Sequence, residues 1–238
     1  MVGHLRKPAG LTLVETVVLL IVLTLLATAL TPPALKLVAA RRRNATMKRL
    51  EALHRGIVGM PEDGYFGFLG DLGLVPANLA ELIEAGRHPL YHMDNVGGVG
   101  MGWNGPYVQM TVSDATLDAF GRPFEMSRTV PGQIKSAGAD GRFGTDEDLV
   151  YPPVPGPCFG AVHIEVVPKG SFAVRLHYSD GGSQRFLQAD EPPFVFENIH
   201  LGPHAVQVFS LDEQGNMALV HERVIALVER TGLFMLEF

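Results

Sequence analysis

With 238 residues, 47% of them hydrophobic, 18% charged and a single cysteine, the chain can build one large or two small domains and excludes an intramolecular disulfide framework. Its net charge of −6 hides an asymmetry: residues 1–50 carry eight bases and one acid, a net +7, and residues 51–238 carry 11 bases and 24 acids, a net −13. A basic stalk on an acidic head argues against general nucleic-acid binding by the head and is compatible with cation binding.

The chain opens with a basic leader containing Arg6 and Lys7, then Pro8-Ala9-Gly10, then an apolar run over residues 11–30 in which only Thr12, Glu15, Thr16, Thr24 and Thr28 are polar. Twenty helical residues span about 30 Å, one hydrocarbon thickness, so the run predicts a transmembrane helix. Glu15 is out of place there, because a carboxylate within a membrane helix costs roughly 2.5–3.5 kcal/mol and normally has a partner. Three readings compete. A secretory signal peptide would have a shorter apolar region with its small residues after it. A plain signal anchor leaves Glu15 as an accident near the membrane surface. Cleavage after Gly10 gives Leu11 a free amine about one turn from Glu15, and that carboxylate can then pair with the amine of a neighbouring copy.

The basic leader, Gly10, the apolar Leu11, "TLVE" and the unbroken apolar helix resemble the type IV prepilin and pseudopilin family. The resemblance implies processing after Gly10 by a prepilin peptidase, methylation of the new amine, and a role for Glu15 in setting subunit register in a filament. Leu11 departs from the phenylalanine or methionine that the family prefers. By charge alone the six bases from Lys36 to Arg49 would put the head in the cytoplasm; the resemblance implies the opposite. It implies a single-pass protein of a bacterial inner membrane with an extracytoplasmic head, joining a periplasmic or surface filament.

Pro32-Pro33 either kinks the helix or ends the membrane span. The pattern beyond it is amphipathic, with Leu35, Val38, Ala39, Met47, Leu50 and Leu53 set against Lys36, Arg41, Arg42, Arg43 and Lys48. In "PANLAELIEAG" (76–86) Asn78 is a helix N-cap and Gly86 a stop. "GWNGPYV" (102–108) and "DAFGRPFEM" (118–126) read as turns leading into strands at 107–111 and 123–127. The two phrases are similar to the "GPY" and "D-W-G-x-P" phrases of type II secretion major pseudopilins, with Phe120 in place of the tryptophan.

"IKSAGADGRFGTDEDLVYPP" (134–153) places Asp140, Asp146, Glu147 and Asp148 among three glycines. By itself this reads as a solvated acidic loop or as a weak calcium signal, since Ca²⁺ takes six to eight oxygen ligands and the spacing is not that of an EF-hand. The loop is similar to the calcium loop of major pseudopilins. That resemblance implies Asp140, Asp146 and Asp148 as carboxylate ligands, with carbonyls near Ala137 and Arg142.

"YPPVPGPCFG" (151–160) reads as a linker. Six or seven alternating segments follow, separated by turn signals such as Asp180-Gly181-Gly182, and predict a small antiparallel β-sandwich. "FVFENIHLGPHAVQVF" is similar to the strand–turn–strand of carboxypeptidase-regulatory-like or PEGA-type domains, which serve as spacers or binding modules.

No catalytic constellation is visible. Pro89 separates His88 from His92, the other histidines are scattered, and Cys158 sits in the linker. The expected architecture is α+β: a leader (1–10), a long N-terminal transmembrane helix (11–53), a pilin-like head with a calcium loop (54–155) and an all-β sandwich (156–238). The expected function is non-enzymatic: a subunit that self-associates into a type II secretion pseudopilus or type IV filament. Its expected partners are the membrane, the prepilin peptidase and the assembly machinery. A tethered binding module that never polymerises is the other reading.

Overall fold

A computed structural model describes residues 12–167 and 169–238, with only the backbone described at 27–34. The chain divides into two compact units, Met1–Asn44 and Ala45–Phe238. The expected α+β fold led by a transmembrane helix is corrected. The chain is mostly β, and no helix among the described residues is long and apolar enough to cross a membrane.

Helix α1 spans Leu13–Val58 and runs through Pro32-Pro33 without ending there. In the first unit its described side chains are almost all exposed. In the second unit a stripe forms at helical spacing: Thr46, Leu50, Leu53 and Ile57 are fully buried. Gly59 stops the helix. It adopts φ +74°, its N–H reaches the Arg55 carbonyl at 2.8 Å, and a Cβ there would lie 2.1 Å from the Tyr65 carbonyl oxygen.

The α1 stripe is the spine of the first core in this unit. It packs with Phe68 and Leu72 of α2 (Gly67–Leu72), with Leu79 and Leu82 of a 3₁₀ turn, and with Ala115 of α3 (Val112–Thr116). Asn78 is the expected N-cap, accepting from the Ala80 N–H at 3.1 Å, but the element is a 3₁₀ turn over Leu79–Leu82 that ends before Gly86. Its strands are short. β1 (His92–Met93) pairs with β2 (Gly100–Met101), and β3 (Glu125–Met126), β4 (Ile134–Ser136) and β5 (Leu149–Tyr151) form a meander. The strand expected at 107–111 does not form. Tyr107 N–H bonds to the Leu82 carbonyl, and Thr111 turns away to cap α3.

The second core is the β-sandwich. Strands β6 (Phe159–Val167), β7 (Phe172–Asp180), β8 (Ser183–Ala189), β9 (Phe194–His200), β10 (Gly202–Leu211), β11 (Met217–Leu227) and β12 (Thr231–Glu237) form two sheets, ordered β11-β10-β7-β8 and β12-β6-β9. Alternate residues of β6, Val162, Ile164 and Val166, face Val174 and Leu176 of β7 and Val206 and Val208 of β10. Gly181 and Gly182, both at positive φ, make the tight β7–β8 turn. The sandwich is not wholly antiparallel, because β12 runs parallel to β6 with Thr231 opposite Ala161.

The α2 end docks closely on the sandwich. A Cβ on Gly73 would sit 1.8 Å from the Ser179 carbonyl oxygen, and Ser179 Oγ donates to the Asp71 carbonyl at 2.9 Å. The segment read as a linker is anchored: Cys158 is buried and its carbonyl accepts from Leu201 N–H at 3.0 Å.

Candidate functional site

Glu15 closes the N-terminus of α1. Its Oε2 accepts from Thr12 N–H at 2.8 Å and from Thr12 Oγ1 at 2.9 Å, while Thr12 Oγ1 accepts from Glu15 N–H at 3.3 Å. This is a reciprocal capping box, which satisfies backbone donors that the first helical turn leaves open. The signal, threonine followed three residues later by glutamate, is legible in "TLVE", and reading Glu15 only as a partner for a distant amine missed it. The processing position, Gly10 and Leu11, lies outside the described residues.

Beyond the cap, apolar side chains project all round the helix. Leu13 is 80% exposed, Leu25 65% and Leu20 62%, and Val17, Val18, Leu19, Ile21, Val22, Leu23 and Leu26 are all about half exposed. Val14, Glu15, Val18, Leu19 and Val22 form one continuous strip. A helix apolar on every side is stable in water only when other surfaces cover it.

The acidic loop joins β4 to β5. Asp140 Oδ1 accepts from Arg142 N–H at 3.0 Å, and this bond holds its carboxyl below the usual range, helped by the charges of Arg142 and Arg122. Asp148 Oδ2 accepts from Gly144 N–H at 2.7 Å, while its Oδ1 is buried without a hydrogen-bond partner. Asp146 is exposed. The orphaned Oδ1 would suit a cation. However, among the described residues no group of three or more His, Cys, Asp or Glu side chains is placed to hold a metal ion. As placed, the loop closes on its own N–H groups and on Arg122, which donates to the Gly138 carbonyl.

The loop hangs from a buried carboxylate that sequence reasoning noticed only as part of a phrase. Asp118 is 2% exposed; its Oδ1 accepts from Phe120 N–H at 2.8 Å and Arg122 N–H at 2.9 Å, and its Oδ2 from Ser136 Oγ at 2.6 Å. Ser136 Oγ in turn accepts from Gly138 N–H at 3.1 Å. One side chain thus fixes the "DAFGRP" turn, the end of β4 and the root of the acidic loop.

In the sandwich, a cavity of about 470 Å³ is bordered by His163, Glu165, Lys169, Phe172, Phe194 and Leu233. His200 and His204, which the sequence shows only as flanking a turn, form a buried pair with ring centroids 4.7 Å apart. Burial holds both below the usual imidazole value, His204 at about 3, where His200 adds to the effect. Burial also pushes the Cys158 thiol up to about 11, which disfavours the thiolate.

Comparisons with protein-family models, with curated proteins and with solved structures found no match.

Proposed function

We propose that this chain is a pilin-like structural subunit of a type IV or type II secretion filament, with no catalytic role. The observation that carries the reading is the exposed apolar surface of α1 at residues 13–26, which copies of the same helix could cover. The leader, Gly10, Leu11 and "TLVE" support it through their resemblance to prepilins. Under this reading a prepilin peptidase cuts after Gly10, an assembly machinery receives the mature chain, and the filament stands outside the cytoplasm with the sandwich on its surface. Glu15 then has two tasks: it caps its own helix and pairs with the Leu11 amine of a neighbour.

The test is crosslinking of Glu15→Ala and Glu15→Gln variants into filaments. Glutamine keeps the capping box but not the charge. Both variants should fail to incorporate. Incorporation of Glu15→Gln at the wild-type level would reduce Glu15 to a cap and remove the pairing role. Incorporation of both would sink the filament reading of this residue. The sandwich cavity favours a second reading, a binding module that never polymerises; its ligand binding would persist after removal of residues 1–44.

A further inference from the structure

His177 lies on β7, opposite Ala205 of β10 and Phe186 of β8, on the outer face of the four-stranded sheet. An outward-facing histidine should be wet, yet this one is 8% exposed. The loop between β1 and β2 lies across the same face. Gly97 at φ +69° approaches so closely that a Cβ would fall 2.6 Å from the Ala205 Cβ. Gly97 N–H also donates to Glu222 Oε1 of β11 at 3.0 Å.

A chain of hydrogen bonds crosses the sheet beneath this loop. Gln207 Nε2 donates to Glu222 Oε2 at 2.7 Å. That leaves Gln207 Oε1 to accept from His177 Nε2 at 3.0 Å, which fixes the proton of a neutral His177 on Nε2. His177 Nδ1 therefore accepts, and its donor is Gln184 Nε2 at 3.1 Å. Gln184 Nε2 also donates to Asp94 Oδ2, the first residue of the loop. Both protons of that amide are thereby committed, one to the imidazole and one to the carboxylate.

We propose that His177 is the latch of an acid-sensitive clasp that seats the 94–99 loop on the sandwich while the imidazole is neutral and releases it when Nδ1 takes a proton. The proton comes from solvent and forms a new N–H at Nδ1, facing an amide that already points its own hydrogens there. Gln184 must then turn over. Its oxygen accepts from His177, the same oxygen faces the Asp94 carboxylate, and the loop loses its bond at Asp94, leaving Gly97 N–H on Glu222 as its remaining tie to the sheet.

The groups around the ring are Gln184 and Phe186 on β8, Gln207 on β10, Glu222 on β11, Arg175 on β7 and Asp94 on the loop. Burial holds the imidazole below its usual value; the Gln207 bond and the charges of Asp94 and Glu222 oppose this, and Arg175 adds to it. For a base with a lowered folded-state value, the stabilisation is complete above the ordinary imidazole range near pH 6.5 and drains away as pH falls. The clasp does not depend on the filament reading.

The test is hydrogen exchange at pH 7.5 and pH 5, corrected for intrinsic rates, on the full chain in mild detergent. Protection at 94–99 should fall about tenfold in the wild type, a change of about 1.4 kcal/mol, relative to β7 and β10. His177→Gln should remove the pH dependence. The core strands report any general acid loosening from His200 and His204. Unchanged or increased protection of the loop at pH 5 in the wild type would overturn the clasp, and so would an equal fall in a folded His177→Gln variant. Should that variant not fold, an NMR titration of the wild type decides. Loop amide shifts that follow the His177 ring midpoint uphold the clasp, and shifts that do not follow it overturn it.

Discussion

The Tyr107 hydroxyl donates to Asp71 Oδ2 at 3.0 Å, tying the segment before α3 to the end of α2. The same hydroxyl accepts from Asn104 N–H at 2.9 Å. The Asp71 carbonyl accepts from Gly102 N–H and from Ser179 Oγ, both at 2.9 Å. One residue thus joins the head loops to the sandwich, and its carboxyl is held largely out of water.

Burial raises the Asp71 carboxyl to about 6, against a smaller lowering by the Tyr107 bond. The folded chain therefore binds this proton more tightly than the unfolded chain, so the stabilisation is greatest below about pH 4 and is lost as pH rises through about 6. Asp71→Asn keeps an acceptor for Tyr107 and removes the charge. It should stabilise the protein at pH 8 by about 1 kcal/mol, after discounting for partial exposure, and change little at pH 4. Urea unfolding of both proteins at the two pH values checks this; equal differences at both would refute it.

Asp118→Ala should be far more damaging. It leaves the Ser136 hydroxyl and the N–H groups of Phe120 and Arg122 without their acceptor in a buried place. The expected loss is about 2–4 kcal/mol. Asp118→Asn, which keeps one acceptor oxygen, should lose less. A denaturant midpoint for the alanine variant within error of wild type would show that the turn holds without this carboxylate.

The acidic loop separates its aspartates by their bonds. Asp148 holds Gly144 N–H, whereas Asp146 is exposed. Asp148→Ala should cost about 1 kcal/mol and Asp146→Ala less than about 0.5 kcal/mol. Melting curves in chelator and in millimolar calcium test the metal reading of the loop. A calcium-dependent rise in Tm that Asp146→Ala abolishes would make the loop a metal site, and coincident curves would show that it holds by its own hydrogen bonds.

Features legible in the sequence are those that short-range physics determines. The Asn78 cap needs only its own turn, the tight Asp180-Gly181-Gly182-Ser183 hairpin needs only residues that tolerate positive φ, and the alternation of β6, β7 and β10 follows from one face being buried. The exposed apolar run of α1 is visible in composition alone. Features that depend on partners distant along the chain were out of reach. Neither the parallel pairing of β12 with β6 nor the irregular path of the 107–111 segment has a local signature.

The candidate sites divide in the same way. Gly10, Leu11 and Glu15 stand out in sequence because leader, spacing and charge are local. The acidic loop also stands out, yet whether its carboxylates converge depends on which backbone groups claim them first, and Arg142 and Gly144 claim two. Asp118 with Ser136, Asp71 with Tyr107, and the Asp94–Gln184–His177–Gln207–Glu222 chain join residues that are far apart in sequence in nearly every pair. By itself the sequence determined where helix α1 begins to be apolar and which strands alternate, since each is settled by neighbours within a turn or two. Only the tertiary structure decided which polar groups are buried together, because desolvation and hydrogen-bond pairing exist only once distant segments meet.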